Sequence, residues 1–258
     1  MSEERLTREG QLNAARERLH TLVERYIQAE EEVRALEEGF FRVVIFGSAR
    51  IGSGDNAYQM VYNIAHALAE RGIDVVTGGG PGLMEAANSA VTDVRERQSR
   101  SYGLPIEIPS LKEPANRHLD IKSSHTRFSS RLDEFMRLSN AVIVAPGGIG
   151  TMLELLYVWQ LLQVNLSNDR PVILLGKEIW QGLLDWMRDV LLSHRYISAK
   201  DFRWITLVDT EQEAIGLIEV AHQHFLQMQR AHVLEERELD TAVTSDVLMA
   251  AEPGEEES

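Results

Sequence analysis

The run Pro146-Gly147-Gly148-Ile149-Gly150-Thr151-Met152-Leu153-Glu154 holds the residues best suited to chemistry. Its glycines let the backbone turn tightly and approach a ligand without Cβ clashes. From Thr151 the pattern has helical period, through Leu155, Leu156, Trp159, Leu162 and Gln163. A helix opening from such a turn aims unpaired N–H groups and the positive end of its dipole at whatever sits above it. That is an anion site, most often for phosphate. Gly147, Gly148, Gly150 and Thr151 are thus the candidate cradle, with the Glu154 carboxylate beside it. Thr151-x-x-Glu154 also fits a capping box that only satisfies helix N–H groups, so spacing leaves both roles open for Glu154. Upstream, Arg127 and Arg131 stand one helical turn apart and can converge. Arg131 can equally form an i,i+3 surface pair with Glu134.

The elements that must position these residues alternate between strand and helix. Ala141 to Ala145 is a β-branched apolar run, the mark of a strand covered on both faces. Val43 to Phe46 reads the same way and turns out through Gly47-Ser48-Ala49-Arg50 into a helix over Tyr58 to Leu68, stopped by Gly72. Ile73 to Thr77 is the second strand. It ends in Gly78-Gly79-Gly80-Pro81-Gly82 and a helix through Met84, Ala87 and Val91. A third strand is expected near Leu104 to Ile108. Thr126 to Leu138 is helical, with Phe128, Leu132, Phe135 and Met136 as its apolar stripe. Pro171 to Leu175 and Trp204 to Val208 are further strands around a helix at Leu183 to Leu192, and Ala214 to Leu226 is the last helix. The alternation predicts an α/β fold: a Rossmann-like, doubly wound, mostly parallel sheet with helices on both faces. The expected divisions are an amphipathic helical arm (1–38), the nucleotide-binding domain (39–229) and an acidic, disordered tail (230–258).

The 258 residues hold one such domain plus extensions. A net charge of −14 argues against a nucleic-acid or anionic-membrane surface, yet leaves room for a small anionic ligand held by local N–H groups and arginines. With no cysteine, disulfides, thiolate metal sites and a cysteine nucleophile are excluded. The eight histidines show no zinc-like spacing, so no metal is expected. No signal peptide or long apolar run is evident, so a cytoplasmic location is expected.

In doubly wound sheets ligands bind beyond the carboxyl ends of the strands, and three glycine-bearing turns, at Gly47, Gly78 to Gly82 and Gly147 to Gly150, point to that one edge. None completes GxGxxG, because Leu153 stands where the third glycine should be, and there is no GxxxxGK[ST]. A mononucleotide with a single phosphate fits better than a dinucleotide or a nucleoside triphosphate.

PGGIGTMLE at Pro146 to Glu154 resembles the PGGxGTxxE signature of the LONELY GUY family, often mislabelled "lysine decarboxylase". The resemblance runs from about Val43 to Trp186. VVIFGSAR (Val43 to Arg50) and TGGGPGLMEAAN (Thr77 to Asn88) match its two earlier turns, and Glu113-Pro114 with Asn116 its acidic-Pro-Asn loop. Arg131 stands where the family carries an arginine, but Leu132 replaces the lysine that follows in many members. The resemblance implies a phosphoribohydrolase that splits a nucleoside 5'-monophosphate, of the AMP or cytokinin riboside monophosphate type, into free base and ribose 5-phosphate. It makes Arg131 and Glu154 the catalytic residues and adds Gly79, Gly80, Ser48, Glu85, Asn88 and Glu113 around the nucleotide, with Met84 and Gln160 as lesser candidates. It implies a homodimer or higher homo-oligomer, for which Leu155, Leu156, Trp159 and Leu162 could serve if they are not core. No cofactor is expected: a pyridoxal enzyme needs a Schiff-base lysine, and none of Lys112, Lys122, Lys177 and Lys200 sits in a recognisable motif. The alternative is a non-catalytic carrier of a nucleotide or a molybdenum-cofactor-like phosphorylated ligand, which would keep the glycine turns without needing the acid–arginine pair.

Overall fold

The computed structural model describes residues 3–37, 39–109, 114–167 and 169–250. Contacts divide the chain into two units, Met1–Phe40 and Phe41–Ser258. The first contains one helix, α1 (Glu3–Glu37).

The second unit is built on β1 (Arg42–Phe46), β2 (Asp74–Thr77), β3 (Ser101–Gly103), β4 (Ile121–Lys122), β5 (Ala141–Val144), β6 (Val172–Leu175) and β7 (Ile205–Val208). The strand order is β4-β3-β2-β1-β5-β6-β7, and every pairing is parallel. The chain moves outward from β1 to β4, then returns to lay β5 on the other side of β1, in register Val43 to Ala141 and Phe46 to Val144. Right-handed crossovers that run in opposite directions place their helices on opposite faces. Accordingly α2 (Asn56–Glu70), α3 (Leu83–Asp93) and α7 (Glu211–Ala250) pack against Val43, Ile45, Val75, Ile143 and Ile173. On the other face α4 (Phe128–Leu138), α5 (Ile149–Gln163) and α6 (Lys177–Trp186) cover Val44, Phe46, Val76, Val142, Val144 and Leu174. Successive strand residues thus feed two cores, which is why these strands read as continuous apolar runs. The sheet is fully parallel and doubly wound, as the alternation of elements predicts.

Three elements differ from their expected positions, and α5 divides its apolar residues between core and surface. β3 lies at Ser101–Gly103, ahead of the expected Leu104 to Ile108, although Leu104 and Ile106 are buried just beyond it. α6 begins at Lys177, and a π-helical segment, Met187–Leu192, continues it. On α5 the core takes Leu155, Val158, Trp159 and Leu162, whereas Leu156 is exposed. α7 runs on to Ala250, so helix extends through much of the segment expected as a disordered tail, and residues 251–258 lie outside the described residues. Among the described residues no helix is long and apolar enough to cross a membrane.

A buried polar network fixes the β2 turn. The fully buried Asn88 of α3 accepts from the Thr77 hydroxyl (2.6 Å) and from Asn116 Nδ2 (2.9 Å), and donates to Ser101 Oγ (2.8 Å) and the Tyr102 carbonyl (3.2 Å). Asn116 also donates from Nδ2 to the Gly80 carbonyl (2.9 Å) and from its amide to the Gly79 carbonyl (2.7 Å). Asn88→Ala would strand several of these groups, and a buried group without a partner costs about 1–3 kcal/mol. Denaturant unfolding should therefore show a loss of about 3 kcal/mol.

Candidate active site

Strand order reverses between β1 and β5, so the turns after these strands flank the crevice in which such sheets bind ligands. The Ser48 amide donates to the Pro146 carbonyl (3.0 Å) and the Leu83 amide to the Ser48 carbonyl (3.0 Å), which ties the β1 turn to the β5 turn and to the start of α3. Gly82 permits this approach: its φ is +70°, and a Cβ there would lie 2.4 Å from the Ser48 carbonyl oxygen. Between the turns lies a cleft of about 530 Å³.

One wall is the N-terminus of α5. Gly148 is its N-cap and no side chain caps it. The amide of Met152 donates to the Gly148 carbonyl (2.9 Å), so the amides of Ile149, Gly150 and Thr151 precede the first closed turn and lack intrahelical acceptors. A Cβ added at Gly148 or Gly150 would meet nothing within 4 Å, so these glycines border open space. Gly147 differs, since a Cβ there would lie 2.1 Å from Thr151 Oγ1. It shapes the turn beneath the cleft.

Thr151 lies three residues inside α5, so it is not the helix cap, and the capping-box alternative for Glu154 is removed. Glu154 instead faces α4 across the cleft. Its Oε1 is 3.4 Å from Arg131 Nη1, and the two side chains are only 12% and 11% exposed. Arg131 Nε donates to the Leu104 carbonyl (2.6 Å), and its guanidinium carbon sits 5.1 Å from the centre of the Phe135 ring. The surface pair with Glu134 does not form. Glu134 is occupied by His125 Nε2 (2.6 Å), Arg137 Nη2 (2.9 Å) and the Ser123 hydroxyl (2.8 Å). Arg127 is the exposed N-cap residue of α4 and does not line the cleft.

Gly78 completes the seat of Arg131: a Cβ there would lie 2.2 Å from Nη2 and 2.7 Å from Met84 Sδ. Both atoms end flexible side chains, so Gly78→Ala should fold but push the guanidinium aside. Displacement of a positioned group by about 1 Å can cost about 10²-fold in rate. A loss of that order in kcat/KM with an unchanged unfolding midpoint is the expected result.

Of the residues singled out from sequence, Ser48, Gly80, Met84, Arg131, Gly148, Gly150, Thr151 and Glu154 line this one cleft. Gly79, Glu85, Asn88 and Gly147 do not. Gly79 is held by the Thr77 hydroxyl (2.9 Å) and Asn88 by the buried network. Glu85 lies on α3 near Tyr58, whose phenol is pushed up by burial and then by this carboxylate. Gln160 is exposed on α5 and donates to Gln163 (3.2 Å), away from the cleft. Glu113 falls outside the described residues. Among the lining side chains that sequence reasoning missed are Arg50, Ile106 and Phe128. Arg50 closes the GSAR turn and has no ion pair among the described residues, a signal available in the motif. Phe128 has the period of the apolar stripe of its helix but is 47% exposed at the cleft. Among the described residues no lysine lines the cleft, and no group of three or more His, Asp or Glu is placed to hold a metal.

A family model described as "Possible lysine decarboxylase" matches residues 84–218, just over half of the chain. The chain belongs to this family, the LONELY GUY family. Among its relatives is a pyrimidine/purine nucleotide 5'-monophosphate nucleosidase of Escherichia coli (strain K12), 32% identical over 140 residues. That match covers 52% of this chain but only 30% of the relative's length. A probable cytokinin riboside 5'-monophosphate phosphoribohydrolase of Oryza sativa subsp. japonica is 28% identical, with 74% of this chain and 89% of the relative covered. Among solved structures, the molybdenum cofactor carrier protein of Chlamydomonas reinhardtii superposes with a TM-score of 0.50 at 17% identity, over 71% of this chain and 99% of that one. This likeness concerns the fold.

Proposed function

We propose that this chain hydrolyses the N-glycosidic bond of a nucleoside 5'-monophosphate, of the AMP or cytokinin riboside monophosphate type, to a free base and ribose 5-phosphate. The observation that carries the proposal is the Arg131–Glu154 pair, set across a cleft from an uncapped helix N-terminus. The substrate phosphate takes the amides of Gly150 and Thr151, where the helix dipole favours an anion and the missing Cβ atoms leave room. Glu154, one turn along the same helix, then lies beside the ribose. As the bond from the anomeric carbon to the base nitrogen breaks, its electron pair leaves with the base and positive charge builds on the sugar. The carboxylate stabilises that charge and orients the attacking water, whose oxygen bonds to the anomeric carbon. The water's proton passes to Glu154, and the base takes up a proton on nitrogen. Arg131, always charged, binds the phosphate or the departing base and holds Glu154 in place. Arg50 and Ser48 border the same space and complete the nucleotide's polar surroundings, while Ile106 and Phe128 offer the base an apolar wall.

The names of the relatives support this reaction class. The carrier alternative accounts for the glycine turns but gives no reason for a largely buried carboxylate and guanidinium at the cleft. An oligomer of this chain belongs to the same proposal, with Ile149, Leu153 and Leu156 as exposed apolar residues of α5 that the core does not use. Incubating the protein with AMP and other nucleoside monophosphates tests the activity. Free base and ribose 5-phosphate should form in equal amounts, and a folded protein that releases neither from any of them rejects the proposal.

A further inference from the structure

The helix α1 carries an apolar pattern along its exposed surface. Between Gly10 and Gly39, apolar residues recur at Leu12, Ala15, Leu19, Leu22, Tyr26, Ala29, Val33 and Leu36, in steps of three and four without a break. This is a heptad repeat with Leu12, Leu19, Tyr26 and Val33 in one core position and Ala15, Leu22, Ala29 and Leu36 in the other. A period of 3.5 keeps a seam facing another helix along its whole length, whereas a flat surface is matched by 3.6. The seam is exposed throughout. Helical stability in water comes mostly from packing an apolar face, so a helix of 35 residues with this seam needs a partner.

Residue sizes and charges say which one. If two copies run side by side in the same direction, Ala15 and Ala29 meet themselves and leave gaps, while Tyr26 crowds Tyr26. If they run in opposite directions, Leu12 meets Leu36, Ala15 meets Val33, Leu19 meets Ala29 and Leu22 meets Tyr26. Small residues then face larger ones in two of the four layers, as dense packing prefers. The same arrangement brings Arg16 and Arg18 in the first half of the helix to the acidic half, which holds Glu31, Glu32 and Glu37, with Arg18 flanking Glu32. Its unfavourable contacts are Arg25 beside Arg25 and, near the ends, Glu9 beside Glu37. We propose that α1 is an antiparallel coiled coil formed with a second copy of this chain.

The chain has no native cysteine, so single cysteines report this pairing directly in the full-length protein. Val23 flanks the seam at the centre of the antiparallel pair, next to its own counterpart. Leu12 lies near one end, about 36 Å from the partner's Leu12 at 1.5 Å per residue. Under mild oxidation Val23→Cys should run at twice the 29.1 kDa chain mass on a non-reducing gel, and Leu12→Cys should not. Adding Leu22→Glu to Val23→Cys should abolish the cross-link. A cross-link from Leu12→Cys, no cross-link from Val23→Cys, or a Val23→Cys cross-link that survives Leu22→Glu each overturns the proposal. These readouts hold whatever assembly the sheet unit forms, and base release should be unchanged in every variant.

Discussion

Glu154→Gln should reduce base release by about 10²- to 10⁴-fold, the range that a positioned acid–base group contributes. Glutamine keeps the size of the side chain and an oxygen for Arg131 Nη1, which lies 3.4 Å from the carboxylate. It removes the negative charge that would face the developing cation and the lone pair that would take the water's proton. Nucleotide binding should survive, because the phosphate is assigned to backbone amides at the start of α5 rather than to this residue. Calorimetric titration with AMP and steady-state kinetics separate the two effects. A raised KM at unchanged kcat would assign Glu154 to ground-state binding and contradict a role in the transition state.

Arg131→Lys should be nearly as damaging, with a fall of about 10²- to 10³-fold in kcat/KM, comparable to loss of a preorganised transition-state donor. The guanidinium spans two points at once, donating through Nε to the Leu104 carbonyl and through Nη1 towards Glu154. A lysine carries a single ammonium on a flexible stem and cannot hold both. The substitution preserves the charge and most of the aliphatic stem, so the unfolding midpoint should move little. Turnover equal to that of the unaltered protein would show that Arg131 acts only as a cation in the field of the cleft. Gly78→Ala displaces the same guanidinium without replacing it, so the two variants should fail in the same step.

The central strands are legible in the sequence because both of their faces are covered. Val43 to Phe46, Ala141 to Val144 and Val172 to Leu175 each read as an unbroken apolar run and each forms a strand. The glycine turns are legible for a related reason, since Gly82 and Gly147 sit where no Cβ fits. β3 is misplaced because Ser101-Tyr102-Gly103 serves a buried polar network and a close approach to Gly79, so it lacks an apolar run. β4, with only Ile121–Lys122, is too short to leave a period. The Arg131–Glu154 contact joins two helices across 23 positions, and periodicity within either helix cannot express it. Spacing therefore left each residue with a local alternative, a surface pair for one and a capping box for the other. Packing removes both, because Glu134 already has three partners and the cap of α5 is Gly148. Phe128 illustrates the opposite failure: it has the right period for the core but stands on the first turn of α4, at the cleft.

A crystal structure of Glu154→Gln soaked with AMP tests the shared basis of these expectations most directly. The phosphorus should lie over the amides of Gly150 and Thr151, with the anomeric carbon in van der Waals reach of the residue 154 side chain. A nucleotide bound with its phosphate elsewhere, or with its ribose turned away from that side chain, would leave the hydrolysis without a geometry.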